Sequence, residues 1–258
     1  MSQREMSEPE SPQGERGATR AEPAEARGRV PSEEREMSEP ESPQGERGAT
    51  RAEPAEARGR VPSEERGMTV AAIVVDVQND FTEGGSLPVT GGAGVAAAIT
   101  EHLRTSRYDH VVATRDHHID PGSHFAEHPD FVDSWPAHCV VGTGGVELHP
   151  HLDRSLLEAV FDKGEYAAAY SGFEARGPDG AGLADWLRAA GVDTVEVMGL
   201  TTDYCVLNTA LDAARQGFAT TVRLDLTAGV SAATTATAVD RLEAAGITLH
   251  GTPVVVPA

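Results

Sequence analysis

The chain has 258 residues and carries 41 acidic against 21 basic side chains, a formal net charge of −20. That balance argues against a nucleic-acid partner and for a soluble protein of the cytoplasm. No apolar run approaches the length of a membrane span, the N-terminus has no signal-peptide core, and the two cysteines, Cys139 and Cys205, are too few for a disulfide framework.

Residues 1–67 read as a disordered tail. They hold almost no large apolar side chains and are dominated by Glu, Arg, Pro, Ser, Gly and Ala. Such a segment cannot bury enough apolar surface to offset its ordering entropy. It is also a tandem repeat, with Met6–Glu34 recurring at Met37–Glu65, a period of 31. No repeat carries a hydrophobic face to stack, so a solenoid is not expected. Arg4-Glu5-Met6, Arg35-Glu36-Met37 and Arg66-Gly67-Met68 are in register, which raises Met68 as a physiological start. The rival is an acidic flexible tail, and N-terminal sequencing of the native protein separates the two. Residues 68–258 are long enough for one compact domain with a full core. They carry 25 acidic and 10 basic side chains.

In chain order, Val70–Val75 is a short apolar run ending at Asp76, which predicts a buried strand with a carboxylate at its tip. Gln78–Gly85 is turn-rich. Gly94–Arg104 has helical spacing, with Val95, Ile99 and Leu103 on one side. Val111–Ala113 reads as a second strand. Asp116, His118, His124 and His138 follow within a segment rich in Gly, Pro and Asp, spaced Asp-x-His-x5-His-x13-His. Imidazole and carboxylate in such density suggest a metal site on a loop, or else a polar surface loop that happens to hold histidines. Leu156–Phe161 is a third strand, followed by Lys163, the sole lysine of the chain. Gly182–Ala190 is a short helix and Thr194–Met198 a fourth strand. Asp203–Gln216 is a helix with Cys205 in its first turn and Gly217 as its stop. Thr220–Leu224 is a fifth strand, Ala233–Ala245 a helix and Ile247–His250 a weak sixth strand. The alternation predicts a three-layer α/β/α domain with a mainly parallel sheet of about six strands.

In such a sheet ligands bind beyond the carboxyl ends of the strands. Asp76, Asp116, Lys163 and Cys205 all fall there, so one rim collects them. Cys205 near a helix N-terminus is expected to favour the thiolate, a nucleophile for an acyl carbon. Read alone, a Cys in a helix is more often a small buried hydrophobe. Backbone N–H groups of the Gly199–Asp203 turn can hold an oxyanion. A lone Lys in a chain otherwise served by Arg suits a compact ammonium beside a thiol. Asp76 as proton acceptor, Lys163 and Cys205 then form an acyl-transfer triad recognised by role. The remaining histidines, His102, His110, His128, His149, His151 and His250, read as surface residues, and His117 as pointing away from its neighbours.

Five segments carry a family resemblance: IVVDVQNDFTEGG (73–85), DHHIDPGSHF (116–125), SWPAHCV (134–140), FDKGEYAAAYSGF (161–173) and VMGLTTDYC (197–205). Together they resemble the nicotinamidases, also called pyrazinamidases, of the wider isochorismatase-like hydrolases. The resemblance runs from about Met68 nearly to the end and leaves the repeat tail uncovered. It implies Asp76 as proton acceptor, Lys163 as catalytic lysine and Cys205 as nucleophile. It implies Asp116, His118, His124 and His138 as ligands of one divalent metal ion, with Zn, Fe and Mn all compatible. It further implies a non-proline cis peptide at Leu200–Thr201, an oxyanion hole from the N–H groups of Thr201 and Cys205, and a substrate pocket lined by Phe81, Trp135 and Tyr170. The expected reaction is hydrolysis of nicotinamide, and of pyrazinamide, through a cysteine thioester, in NAD salvage. The expected partner is a small molecule, with no nucleic acid or membrane; monomer and homo-oligomer are both compatible. Tyr204 departs from the His that family members often carry before the nucleophile. Two alternatives stand beside this: an amidase of the same superfamily for another small amide, and a metal- or redox-sensing thiol protein.

Overall fold

The computed structural model describes residues 67–255. The expected disordered tail, apart from Gly67, lies outside the described residues. Six strands form one fully parallel sheet: β1 (Val70–Val75), β2 (His110–Asp116), β3 (Ala159–Lys163), β4 (Thr194–Leu200), β5 (Ala219–Ala228) and β6 (Thr248–His250), in spatial order β3-β2-β1-β4-β5-β6. The chain therefore winds outward from β1 to β3, returns to β4 on the other side of β1, and continues to β6. The reversal leaves a crevice between the carboxyl ends of β1 and β4, the position where open α/β sheets bind ligands.

Four helices cover the sheet: α1 (Gly92–Thr105), α2 (Leu183–Ala189), α3 (Leu207–Arg215) and α4 (Ala232–Ala244). Helix α1 lays Val95, Ala96, Ile99 and Leu103 against Ala72, Val74, Ala113 and Met198. The spacing of those four places them on one helical face. Its start is held by Glu83, whose carboxylate accepts from the N–H groups of Gly91 (2.6 Å) and Ala93 (3.0 Å), two donors that a helix N-terminus otherwise leaves open. On the opposite face α2, α3 and α4 bring Leu183, Leu187, Ala210 and Leu242 against Ile73, Val75, Phe161 and Val197. Burying each large aliphatic side chain stabilises the fold by roughly 1.5–3 kcal/mol. The predicted three-layer arrangement is the observed one.

Differences from the sequence reading concentrate at the rim. The third strand begins at Ala159, because Arg154–Leu156 forms a 3-10 turn capped by Asp153, which accepts from the Ser155 N–H. It runs on to Lys163, whose register partner is Asp116. Both charged residues are thus the last residues of strands and not loop residues. The expected helix from Asp203 is broken: Thr202–Val206 is a π-turn, and α3 begins only at Leu207. Hydropathy cannot signal that extra residue per turn, and single π-turns occur mostly at functional sites. His102 is not a plain surface residue, since its ring bonds the Tyr108 hydroxyl at 2.7 Å, which donates to Glu196 at 2.6 Å. No helix among the described residues is long and apolar enough to cross a membrane.

Candidate active site

Asp76 is the first residue beyond β1 and takes a left-handed backbone, φ 49°. That conformation is uncommon for a residue with a side chain. Its amide donates to the Thr114 carbonyl (3.1 Å) and its Oδ1 accepts from the Thr114 hydroxyl (2.7 Å). Lys163 Nζ lies 2.9 Å from Asp76 Oδ2 and 3.6 Å from Cys205 Sγ, and it donates to the Ala169 carbonyl at 2.9 Å. It also pairs with Asp116 Oδ1. All four side chains are buried. A buried ammonium shared by two carboxylates is an ion network that breaks badly when one partner is removed.

The charges follow from that arrangement. Burial works to raise Asp116, yet the Lys163 ammonium and His118 hold it below the ordinary carboxylate range. Burial raises Asp76 above its ordinary value against the pull of Lys163. Burial would depress Lys163, but Asp116 and Asp76 hold it well above its ordinary value. The Cys205 thiol was expected to be lowered by the helix terminus. Burial pushes it well up instead, against Lys163 and with added repulsion from Asp76 and Asp116. Burial thus favours the neutral form of this thiol, and chemistry at its sulfur calls for a proton acceptor.

The expected metal ligands converge on the other side of Asp116. One ring nitrogen from each of His118, His124 and His138 lies within 4.8 Å of the others. Asp116 Oδ2 is 3.7 Å from His118 Nε2 and 3.8 Å from His138 Nε2. The opposite nitrogens are engaged: His118 Nδ1 donates to the Gly164 carbonyl (2.6 Å) and His138 Nδ1 to the Pro136 carbonyl (2.8 Å). This leaves both Nε2 atoms as free lone pairs, the usual arrangement of metal-binding imidazoles. His118 Nε2 and His124 Nδ1 are buried without a hydrogen-bond partner among the described residues. Burial holds His124 down at about 4, helped by the His138 and His118 rings. Three imidazoles, one carboxylate and buried nitrogens without a partner fit a divalent cation.

Two glycines make the geometry possible. At Gly164 (φ 78°) a Cβ would sit 2.6 Å from the His118 ring. At Gly199 (φ 123°) it would sit 2.1 Å from the Val75 carbonyl, so only glycine lets β4 close against β1. The next bond, Leu200–Thr201, is cis, as the resemblance implies. The Thr201 carbonyl accepts from the amides of both Tyr204 and Val206. Among the described residues the amides of Thr201 and Cys205 enter none of the turn, loop or cap hydrogen bonds.

A pocket enclosing about 440 Å³ of empty space opens onto these groups. Asp116, His124, His138, Thr201 and Cys205 line it, with Phe81, Leu87, Val89 and Val230 as apolar wall, and the Asp116 carboxylate lies within 4.8 Å of the Cys205 sulfur. Trp135 and Tyr170 also line it, and the Trp135 indole N–H donates to the Tyr170 hydroxyl at 3.0 Å. Tyr204 completes that side, edge-on to Trp135 with ring centroids 5.0 Å apart. Fully buried His118 and Asp76 stand behind the lining.

Sequence reasoning gave no role to two residues that hold the site. Gln78 brackets the Asp116 backbone, donating to its carbonyl and accepting from its amide, each at 2.8 Å. Asp80 accepts from the Cys139 amide at 2.7 Å, at a residue with φ 47° directly after His138. Both belong to the VDVQNDF segment already singled out. A Gln and a second Asp in the same short motif as Asp76 were the available signal.

An isochorismatase domain signature matches residues 70–253. The chain belongs to the isochorismatase family. Among relatives of this isochorismatase-family chain, the nicotinamidase/pyrazinamidase of Mycobacterium tuberculosis is 57% identical over 180 residues, covering 69% of this chain and 97% of the relative. The L. infantum protein solved in complex with nicotinate is 35% identical with TM-score 0.64, covering 70% of this chain and 92% of that one. The pyrazinamidase of Pyrococcus horikoshii, solved with zinc, is 34% identical with TM-score 0.60, covering 70% and 97%.

Proposed function

We propose that this chain is a metal-dependent nicotinamide amidohydrolase that yields nicotinate and ammonia, with pyrazinamide as a second substrate. The observation that carries the reading is Lys163, held 2.9 Å from Asp76 and 3.6 Å from Cys205 beside a pocket that His124 and His138 also line. One buried site thereby contains a proton acceptor, a nucleophile and donors for an aromatic ring nitrogen's anchor. The names of the relatives support the substrate class.

Asp116, His118, His124 and His138 would hold the ion. When bound, it supplies an electrophilic anchor that orients and polarises the substrate ring. Phe81 and Trp135 flank the ring. Asp76 takes the Cys205 proton, and its raised carboxyl suits a group that must carry a proton during the cycle. Lys163 steadies the thiolate as it forms. The thiolate attacks the carboxamide carbon, and the amides of Thr201 and Cys205 receive the oxyanion. Asp76 returns the proton to the leaving nitrogen, ammonia departs, and a nicotinoyl thioester remains on Cys205. Asp76 then activates water to release nicotinate.

The finer assignments belong to the same reading: a cytoplasmic enzyme of NAD salvage, with zinc, iron or manganese as the ion. Ammonia release from nicotinamide, with and without chelator, tests it. Metal-dependent release is expected. No release from the metal-loaded protein overturns the substrate assignment, and full release in chelator overturns the role of the ion.

A further inference from the structure

We infer that Asp203 is a positioning residue for the oxyanion turn; the inference rests on the reaction proposed above. The turn from Thr201 to Cys205 must aim two backbone amides at one point. Thr202, Cys205 and Val206 are packed in the core, while Asp203, Tyr204, Leu207, Thr234 and Arg241, among others, line an open surface hollow. The hollow leaves the turn a route by which to shift.

Asp203 closes that route. Its buried carboxylate accepts from the Val230 amide (3.0 and 3.1 Å), the Ser231 amide (3.4 Å) and the Thr234 hydroxyl (2.5 Å). Ser231 is the N-cap of α4, and its own hydroxyl accepts from the Thr234 amide at 3.2 Å. The carboxylate therefore sits just ahead of the start of a 13-residue helix, where a negative charge is favoured. No cation among the described residues pairs with it, so its charge is balanced by these hydrogen bonds. Thr202 makes a second tie, its hydroxyl donating at 2.9 Å to Thr227, which donates to the Leu224 carbonyl. Val230 also lines the substrate pocket. One side chain thus locks together the oxyanion turn, the start of α4 and part of the pocket wall. Asp203 stands two residues from each of Thr201 and Cys205, so a shift of its backbone moves both donors.

A residue that aligns oxyanion donors affects the tetrahedral species and not ground-state binding. The test uses the metal-loaded full chain with Asp203→Asn and Thr234→Val. Three quantities are compared with the parent protein: kcat and KM for nicotinamide, affinity for nicotinate, and inhibition by nicotinaldehyde. The aldehyde accepts the Cys205 sulfur at its carbonyl carbon, and the resulting oxygen occupies the oxyanion position. Asp203→Asn is expected to lower kcat by about tenfold or more and to weaken the aldehyde by the same factor, with KM and nicotinate affinity changed less than about twofold. Thr234→Val is expected to give the same pattern at about threefold. If Asp203→Asn does not fold, the Thr234→Val pattern decides. Equal losses in nicotinate and aldehyde affinity, or an unchanged aldehyde affinity, overturn the inference. A parent protein inactive on nicotinamide overturns the reaction instead, whatever the variants do.

Discussion

The thiol end and the histidine end of the candidate site are built on different principles. At the thiol end the chain supplies its own cation: the Lys163 ammonium lies 2.9 Å from Asp76 Oδ2 and 3.6 Å from the Cys205 sulfur. At the histidine end, buried His118 Nε2 and His124 Nδ1 have no partner among the described residues. A folded chain rarely leaves buried nitrogen atoms unpaired without a reason. The first end holds a cation of its own, and the second offers donors that a cation would fill. Asp116 belongs to both, turning one oxygen toward Lys163 and the other toward the rings. The proposed reaction divides the labour in the same way, with bond-making at the thiol end and orientation at the histidine end.

The largest expected effect comes from removing the acceptor. Asp76→Asn keeps the shape but cannot take the thiol proton, so kcat should fall by about 10⁴-fold or more, with metal content unchanged by elemental analysis. Lost metal in that variant would erase the division between the two ends. Lys163→Met should be nearly as damaging and should also strip two buried carboxylates of their cation. Thermal unfolding should register about 3–5 kcal/mol of lost stability. An unchanged melting temperature would mean the ion network is not what holds the rim.

The other end should answer differently. His118→Ala should weaken metal affinity by about 100-fold or more and raise KM, while the rate at which iodoacetamide alkylates Cys205 stays near that of the metal-free parent. Gly164→Ala touches no ligand directly but drives a Cβ to 2.6 Å from the His118 ring. It should cost about 10-fold in metal affinity by titration. The smallest effect is a displacement on the pH axis. Asp76 acts as a base only when ionised, and burial raises its pKa above the ordinary 3.8. The acid limb of kcat/KM should therefore lie above pH 3.8, and a limb at or below that value would remove Asp76 from the role of base.

Much of this was legible from residue order. Apolar runs at Val70–Val75 and Thr194–Met198 announced buried parallel strands, and polar residues placed just after them announced a rim. The lone Lys163 was informative because every other basic side chain is Arg. What escaped was what periodicity does not encode. Lys163 and Asp116 are the ends of strands, since register with a neighbour, not hydropathy, decides where a strand stops. The π-turn at Thr202–Val206 leaves an apolar pattern that also fits an ordinary helix start. The thiol's environment was misjudged, because the sequence shows the helix terminus but not the depth of burial or the nearby carboxylates. Gln78 and Asp80 act through backbone groups far along the chain, and their partners appear only once the fold is formed.

Cys205→Ala tests the division most directly when ammonia release from nicotinamide and metal content are measured on the same preparation. A full complement of metal with no ammonia above background is the expected result. Ammonia released at the parent rate by the metal-loaded variant would place the bond-breaking at the histidine end and contradict the account.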